Sequence, residues 1–272
     1  MIISSRHARL VSKVKKRATL VASAFLLASC ASKPPVSLVT PPSSATPAPS
    51  QKNQQPVRGI WLATVSRLDW PPVSSVNTSN AAVRVRQQQN ALIEKLDKLK
   101  SLGINTVFFQ VKPDGTALWP SKILPWSDML TGKIGEDPGY DPLQFMLDEA
   151  HKRGMKVHAW FNPYRVSVNT KPATVAQLNA TVTSNPASVF VLHRDWVRIS
   201  GDRFVLDPGI PDVRDWITSI VAEVVTRYPI DGVQFDDYFY TETPGSTLND
   251  NSTFARYGQA FASKADWRRH NT

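Results

Sequence analysis

Three apolar segments of the sequence carry polar or aromatic side chains at every second position. In an extended strand alternate side chains point the same way, so each segment puts these residues on one face. The residues that share this face are Phe108, Gln110, Lys112, His158, Trp160, Asn162, Gln234 and Asp236. Burying an unpaired polar group costs about 1–3 kcal/mol, so a coincident set on three strands indicates a functional site.

Carboxylates in and beside this set define the chemistry. Asp236, at the end of its segment, can attack or stabilise an electron-poor carbon, or hold a metal. A solvated loop acid is the alternative interpretation. Asp237 points to the other face by alternation and is interpreted as a catalytic helper or a loop ligand. Asp114 is the candidate within this chain for a second carboxyl group.

The remaining members of the set are predicted to bind substrate. Lys112 and His158 can bind or polarise it, although a histidine inside a barrel is often satisfied by its neighbours. The predicted substrate-binding residues are Gln110, Lys112, Asp114, His158, Trp160, Asn162 and Gln234. Four tryptophans can stack on sugar rings, although a single tryptophan is more often a core residue: Trp61, Trp119, Trp126 and Trp160.

Alternating strands and helices must position these side chains. Strands are predicted at 57–65, 104–111, 155–162 and 232–236, and amphipathic helices at 83–102, 141–154 and 211–229. Asp141 is the predicted N-cap of the second helix, and Gly103 and Gly154 sit where C-terminal caps belong. The segment 170–200 is predicted to be a long excursion between elements.

This order of elements predicts an α/β fold of parallel βαβ units, as in a (β/α)8 TIM-type barrel. The competing doubly wound sheet lacks its usual glycine-rich turn after the first strand. A barrel needs eight strands to close, whereas only about four strand–helix units fit into 57–272. We therefore expect a truncated, inactive N-terminal part of a barrel; pairing of two half barrels is the alternative.

The N-terminal segment has the pattern of a lipoprotein export signal. Residues 1–29 contain six basic and no acidic residues, followed by an apolar run too short to span a bilayer. Cys30, the single cysteine of the chain, follows them directly in a lipobox-like context. A structural thiol is the alternative, but a lone cysteine forms no internal disulfide. Residues 30–56 hold seven prolines and are predicted to be an extended tether.

Composition limits the possible partners and reactions. The formal charge is +10, but six of those charges lie in the signal segment, which leaves +4 and does not favour nucleic-acid binding. The sequence contains no nucleophile elbow, phosphate loop or zinc-binding helix motif. Metal-assisted hydrolysis or deacetylation through His158 and Asp236 would lack a third ligand at a recognisable spacing. No cofactor is predicted.

Five segments resemble the glycosyl hydrolase-like family 10 proteins: 58–64, 108–115, 139–143, 158–165 and 231–238. The resemblance implies a (β/α)8 barrel and a glycoside hydrolase that acts on peptide-free peptidoglycan glycan strands, with Asp236 matching the family's fourth-strand acid. By resemblance to envelope lipoproteins, Ala31 after the cysteine implies an anchor in the outer membrane, on its periplasmic face. A non-catalytic glycan-binding or inert envelope lipoprotein is the alternative.

We predict that Cys30 carries the lipid. Labelled fatty acid fed to growing cells should enter the protein, and Cys30→Ser should abolish the incorporation because it removes the acylated thiol. Gel fluorography after immunoprecipitation measures the label. Undiminished label in the serine variant would contradict this assignment.

Overall fold

A computed structural model describes residues 55–236, 238–240 and 247–272. The predicted signal segment, Cys30, nearly all of the tether and Asp237 lie outside the described residues. Six strands occur in the described ranges: β1 Gly59–Leu62, β2 Thr106–Lys112, β3 Lys156–Phe161, β4 Val197–Ser200, β5 Arg203–Leu206 and β6 Gly232–Phe235. Four of them form one parallel sheet in the order β1-β2-β3-β6, and β4 and β5 form an antiparallel hairpin.

The helices pack beside the sheet and in the connections. They are α1 Val73–Val76, α2 Ala81–Ser101, α3 Asp128–Thr131, α4 Pro142–Lys152, α5 Pro172–Ala180, α6 Val189–Leu192, α7 Pro211–Arg227, α8 Asn251–Tyr257 and α9 Lys264–His270. Within the described ranges, none of these helices combines the length and the apolar character that a membrane span requires. The predicted helices at 83–102, 141–154 and 211–229 correspond to α2, α4 and α7.

Local signals explain where these helices begin and end. The Asn80 side chain accepts a hydrogen bond from the Val83 amide at the start of α2, and Asp141 caps α4 in the same way through Gln144. Proline occupies the first turn of α4 and α7, where no amide hydrogen is needed. Gly154 adopts a φ of +65° just past α4, a conformation that glycine reaches without strain.

The sheet has one face buried under helices and one face partly open. The alternation predicted for β2 and β3 is confirmed: one side of both strands packs into the helical core, where Val107, Phe109, Val157 and Ala159 are fully buried. On the other side Trp61 remains 47% exposed. The alternation of side chains along each strand therefore separates core residues on one face from candidate site residues on the other.

Phe235 departs from the predicted alternation. The sequence pattern places it among the helices, yet it is 39% exposed. Its ring contacts Phe161 with 6.1 Å between centroids. In the described ranges β6 is the last strand of the sheet, and β3 is the strand paired with it.

The parallel α/β architecture is confirmed, whereas closure into a barrel is not. In the described ranges the sheet ends at β1 on one side and at β6 on the other. The four parallel strands agree with the expectation of about four strand–helix units, and the closure of a (β/α)8 barrel stays a prediction. The four strands present nevertheless bring their carboxyl ends to one edge, where α/β proteins place their sites.

The segment 170–200, predicted to be a long excursion between elements, contains α5, α6 and the start of the β4–β5 hairpin. These elements form a second apolar cluster whose buried members include Leu178, Phe190, Phe204 and Leu206. The hairpin also binds the chain that follows β3: the Val166 amide donates to Phe204, and the Leu206 amide donates to Tyr164.

Asp141 links two helices and gives a test of the packing. Its carboxylate accepts from the Gln144 amide at 3.0 Å and from the Tyr228 hydroxyl, just after α7, at 2.6 Å. Asp141→Ala should lower the free energy of unfolding by about 2–3 kcal/mol, because both hydrogen bonds are lost. Urea denaturation measures the effect. Asp148→Ala, at an exposed position of the same helix, is the control, and equal effects of the two changes would contradict the link.

Candidate active site

Aromatic rings cover the amino-terminal half of the open sheet face. The strand register places Trp61, Phe108 and His158 side by side. Trp61 stacks on Phe108 with 4.7 Å between ring centroids and meets Trp160 edge-on at 4.8 Å. A β-carbon on Gly232 would lie 2.7 Å from the His158 ring, so the glycine is needed for that ring to lie across β6. The His158 ring therefore packs against Gly232 and Phe108.

Gln110 organises the loop that follows β1. Its Oε1 accepts hydrogen bonds from the Thr64 amide at 3.0 Å and the Val65 amide at 2.8 Å. The Thr64 hydroxyl returns a hydrogen bond to the Gln110 carbonyl at 2.8 Å. Since Gln110 is also 1% exposed, the structure places it as a support of the site edge.

Lys112 is a buried cation at the end of β2. A register shift between Gln110 and Lys112 turns the lysine toward β3, where Nζ donates to the carbonyl oxygens of Asn162 at 2.8 Å and Pro163 at 3.0 Å. Burial lowers the pKa of Lys112 to about 7, against the attraction of Asp114 and Asp236. The ammonium group thus holds the end of β3 and lies under the influence of both carboxylates.

Asp114 follows β2 and is buried beside other polar groups. The Thr116 hydroxyl donates to its Oδ1 at 2.6 Å. Burial, and then repulsion by Asp128, raise the pKa of Asp114 to about 6, while Thr116, Lys112 and Arg165 lower it. Asp114 and Asp128 line a cavity of about 110 Å³ in which the described lining residues do not include Asp236.

Asp236 lies directly after β6, held between β3 and its own strand. Its amide donates to the Phe161 carbonyl at 3.3 Å, and its Oδ2 accepts from Trp160 Nε1 at 3.3 Å. Oδ1 is buried and has no hydrogen-bond partner. Burial raises the pKa of Asp236; the hydrogen bond from Trp160, the charge of Arg165, the Tyr238 backbone and Asn162 oppose that shift.

Asn162 and Arg165 complete this edge. The Asn162 side chain is fully buried, and its Oδ1 accepts from the Arg165 amide at 3.0 Å. The Arg165 guanidinium lies 4.9 Å from the centre of the Tyr238 ring and donates to the Pro113 carbonyl at 3.3 Å. Sequence reasoning missed Arg165 and Tyr238. Both residues lie beyond the strands, so side-chain alternation could not indicate them. Their position in the segments that resemble the family could have done so.

The structure brings together only part of the predicted set. Lys112, Trp160 and Asn162 converge with Asp236 at the carboxyl ends of β2, β3 and β6. Gln234 instead donates to the carbonyl of its neighbour Phe235 at 2.6 Å. Asp237 lies outside the described residues. Among the described residues, no cluster of three His, Cys, Asp or Glu side chains is placed to hold a metal ion.

Two further residues take structural roles. Trp119 is fully buried and donates to Glu223 on α7 at 2.9 Å, so its ring cannot contact a sugar. Asp207, just after β5, is buried between Thr253, Arg198 and the Gly209 amide. These contacts tie the β4–β5 hairpin to α8.

Comparison with known proteins gives the family. Residues 56–272 match the model of the family Glycosyl hydrolase-like 10. The chain belongs to this family. It is 74% identical over 273 residues to the glycosyl hydrolase DigH of Escherichia coli strain K12, an alignment that covers 100% of this chain and 62% of that protein. The chain therefore spans less than two thirds of the length of that curated relative.

More distant relatives are also found. The glycosyl hydrolase YngK of Bacillus subtilis strain 168 is 40% identical over 222 residues, covering 81% of this chain and 41% of YngK. Among solved structures, alpha-L-fucosidase isoenzyme 2 from Paenibacillus thiaminolyticus has a TM-score of 0.38 and 17% identity, covering 66% of this chain and 24% of the fucosidase. The galactosidase domain of alpha-galactosidase-sucrose kinase has a TM-score of 0.34 and 19% identity, covering 54% of this chain and 19% of the other chain. Structural similarity of this extent carries no argument about the site.

The buried carboxyl group of Asp114 makes the stability of this Glycosyl hydrolase-like 10 protein depend on pH. Its folded pKa of about 6 exceeds the ordinary value of 3.8, so its contribution to stability is full below 3.8 and is lost as pH rises through 6. Asp114→Asn removes this titration. The variant should therefore gain about 1–3 kcal/mol relative to the unsubstituted protein between pH 4 and 6.5, since one pKa unit corresponds to about 1.4 kcal/mol.

Urea denaturation at a series of pH values measures this difference. Thr116→Val is the companion variant: it removes a hydrogen bond that lowers the Asp114 pKa, so it should steepen the loss of stability with pH. Parallel stability curves for the asparagine variant and the unsubstituted protein would show that Asp114 does not titrate in this range.

Proposed function

We propose that the protein is a glycoside hydrolase of the bacterial cell envelope that cleaves peptide-free peptidoglycan glycan strands, with Asp236 as nucleophile or general base. Membership of the Glycosyl hydrolase-like 10 family and two relatives named glycosyl hydrolases support a glycosidase type of function. The choice of glycan rests on the family resemblance of the sequence segments around the site.

One observation carries the assignment of Asp236. Its Oδ2 is held by Trp160 Nε1, while Oδ1 is buried without a hydrogen-bond partner at the carboxyl edge of the sheet. A carboxylate that a hydrogen bond holds in place is oriented for attack or for proton transfer. Burial raises the pKa of Asp236, and the charge of Arg165 opposes that shift and so supports the ionised form.

The surrounding surface supports a sugar ligand. Trp61 is 47% exposed and adjoins Trp160, which itself contacts Asp236. Aromatic faces of this kind provide large apolar contact area, while the indole N–H retains a polar function. A glycan strand presents both apolar ring faces and hydroxyl groups, so this mixture of contacts suits it.

Glycosidases generally use two carboxyl groups, about 5–5.5 Å apart for retention and about 6.5–9.5 Å apart for inversion. Asp114 was the candidate for the second group. It lines a cavity whose described walls do not include Asp236, which weighs against direct pairing of the two. The proposal therefore assigns Asp236 and leaves Asp114 as an electrostatic neighbour that acts on Lys112.

The location forms part of the proposal. Lipid on Cys30 would anchor the protein to the periplasmic face of the outer membrane, and the proline-rich residues 30–56 would extend the folded part toward the peptidoglycan. Dual acylation anchors firmly where a single chain binds only marginally. Both inferences rest on the sequence pattern of the N-terminal segment.

We expect Asp236→Asn in the full-length protein to reduce cleavage of purified peptide-free glycan strands by about three orders of magnitude or more. The asparagine keeps the shape of the side chain but removes the negative charge that a nucleophile or base needs. Chromatography of released soluble fragments measures turnover, and circular dichroism checks the fold.

Asp231→Asn is the matched control. Asp231 precedes the same strand at the opposite edge of the sheet, where it accepts from the Val157 amide at 2.8 Å. Near-normal turnover by the Asp236 variant would move the catalytic role elsewhere. Glycan binding without turnover by the unsubstituted protein would favour the non-catalytic alternative.

A further inference from the structure

A small cavity lies beyond the carboxyl ends of β2 and β3, at the edge of the sheet that also carries Asp236. Its volume is about 110 Å³. Asp114, two residues past β2, lies in one wall, and the chain after β3 together with α5 forms much of the rest. Since Asp114 and Asp236 both act on the charge of Lys112, the cavity lies within electrostatic range of the proposed catalytic acid.

The size of the cavity limits what it can hold. Sites that take a whole small molecule usually have about 300–1,000 Å³. A cavity of about 110 Å³ therefore takes a substituent of a few heavy atoms, and a sugar ring stays outside it. Asp114, Val166 and Leu178 are buried, whereas Asn169 and Gln177 are half-buried, so the cavity opens on the side of these last two.

The lining offers an acceptor, a donor and an apolar wall. The Thr116 hydroxyl occupies Oδ1 of Asp114, and within the described ranges Oδ2 forms no hydrogen bond. The Ile134 amide approaches Oε1 of Gln177 at 3.4 Å, which leaves the Nε2 donor of that amide for a ligand. Ile134, Val166 and Leu178 supply the apolar surface.

A bound metal ion is the competing interpretation, because Asp114 and Asp128 both line the cavity. Each carboxyl group already has a cationic neighbour, however: Arg67 acts on Asp128, and Lys112 acts on Asp114. A calcium ion also needs about six to eight oxygen ligands, which an apolar wall cannot supply. The lining therefore suits a neutral group that has a polar end and an apolar end.

We propose that this cavity binds the acetamido group of an N-acetylated sugar, whose N–H donates to Asp114, whose carbonyl accepts from Gln177 and whose methyl packs on Val166. The inference rests on the proposed function and deepens it, because the sugars of peptidoglycan glycan strands carry this group. The other substituent of these strands, the lactyl carboxylate of muramic acid, would be repelled by Asp114 and Asp128.

Two variants test the cavity in different ways. Gln177→Met removes the amide donor at nearly constant side-chain length, and Val168→Phe places a ring in the cavity, which Val168 lines. Both are made in full-length protein that also carries Asp236→Asn, which prevents cleavage during the measurement. Isothermal titration calorimetry compares two tetrasaccharides of the same linkage, one of N-acetylglucosamine and one of glucose, which lacks the acetamido group.

The acetylated tetrasaccharide should bind about tenfold or more tightly than the glucose tetrasaccharide, because only it fills the cavity and makes both hydrogen bonds. Each variant should bring this ratio close to one and leave the affinity for the glucose tetrasaccharide unchanged. Gln144→Met is the matched control. The Gln144 side chain lies on α4 and donates to Asp148, so its loss should not change the ratio.

Equal affinities for the two tetrasaccharides before either cavity substitution would overturn the proposal. An unchanged ratio in both variants, at unchanged melting temperature, would do the same. A melting temperature that calcium chloride raises, by an effect that Val168→Phe abolishes, would assign the cavity to a cation and also refute the inference.

The same measurements separate this inference from the proposed function. Preference for the acetylated tetrasaccharide, without cleavage of glycan strands by the unsubstituted protein, would refute the proposed function and leave the acetamido site standing. Cleavage of glycan strands without that preference would refute the acetamido site alone.

Discussion

The site depends on one buried cation, the ammonium group of Lys112. Its two hydrogen bonds to the carbonyls of Asn162 and Pro163 join the end of β2 to the end of β3. An isolated charge is very costly to bury, so the lysine is tolerated only with such acceptors and with carboxylates nearby. Asp114 and Asp236 supply that attraction from different sides. Removing the cation would release the loop that carries Asn162 and Arg165.

This arrangement couples the ionisable groups to one another. Burial shifts the pKa values of Lys112 and Asp114 toward each other, to about 7 and about 6. Arg165 adds a second positive charge that acts on both Asp114 and Asp236. In such a group the protons come off in steps that belong to the whole set, so the pH dependence of the site reflects all four residues. The structural hydrogen bonds of Lys112 and the ionisation of Asp236 are thus linked.

The aromatic half of the sheet face has a different physical basis. The rings of Phe108 and His158 pack over neighbouring strands because two positions there have no side chain: β-carbons on Gly59 and Gly232 would lie 2.6 and 2.7 Å from atoms of these rings. The result is an open apolar surface next to a polar edge. Ring contacts therefore lie toward the amino-terminal ends of the strands, and hydrogen-bonding groups lie at their carboxyl ends.

The sequence by itself determined the four strands of the parallel sheet, the three long helices and the buried faces of β2 and β3, because these depend on short-range periodicity and on local caps such as Asp141. It also marked Lys112, Asn162 and Asp236 as a coincident set. Only the tertiary structure decided which of them meet. The register shift before Lys112, the partners of Gln110 and the packing of His158 over Gly232 all depend on neighbouring strands. Arg165 acquires its place through the β4–β5 hairpin, whose pairing with the chain after β3 joins residues distant in sequence and leaves no local pattern.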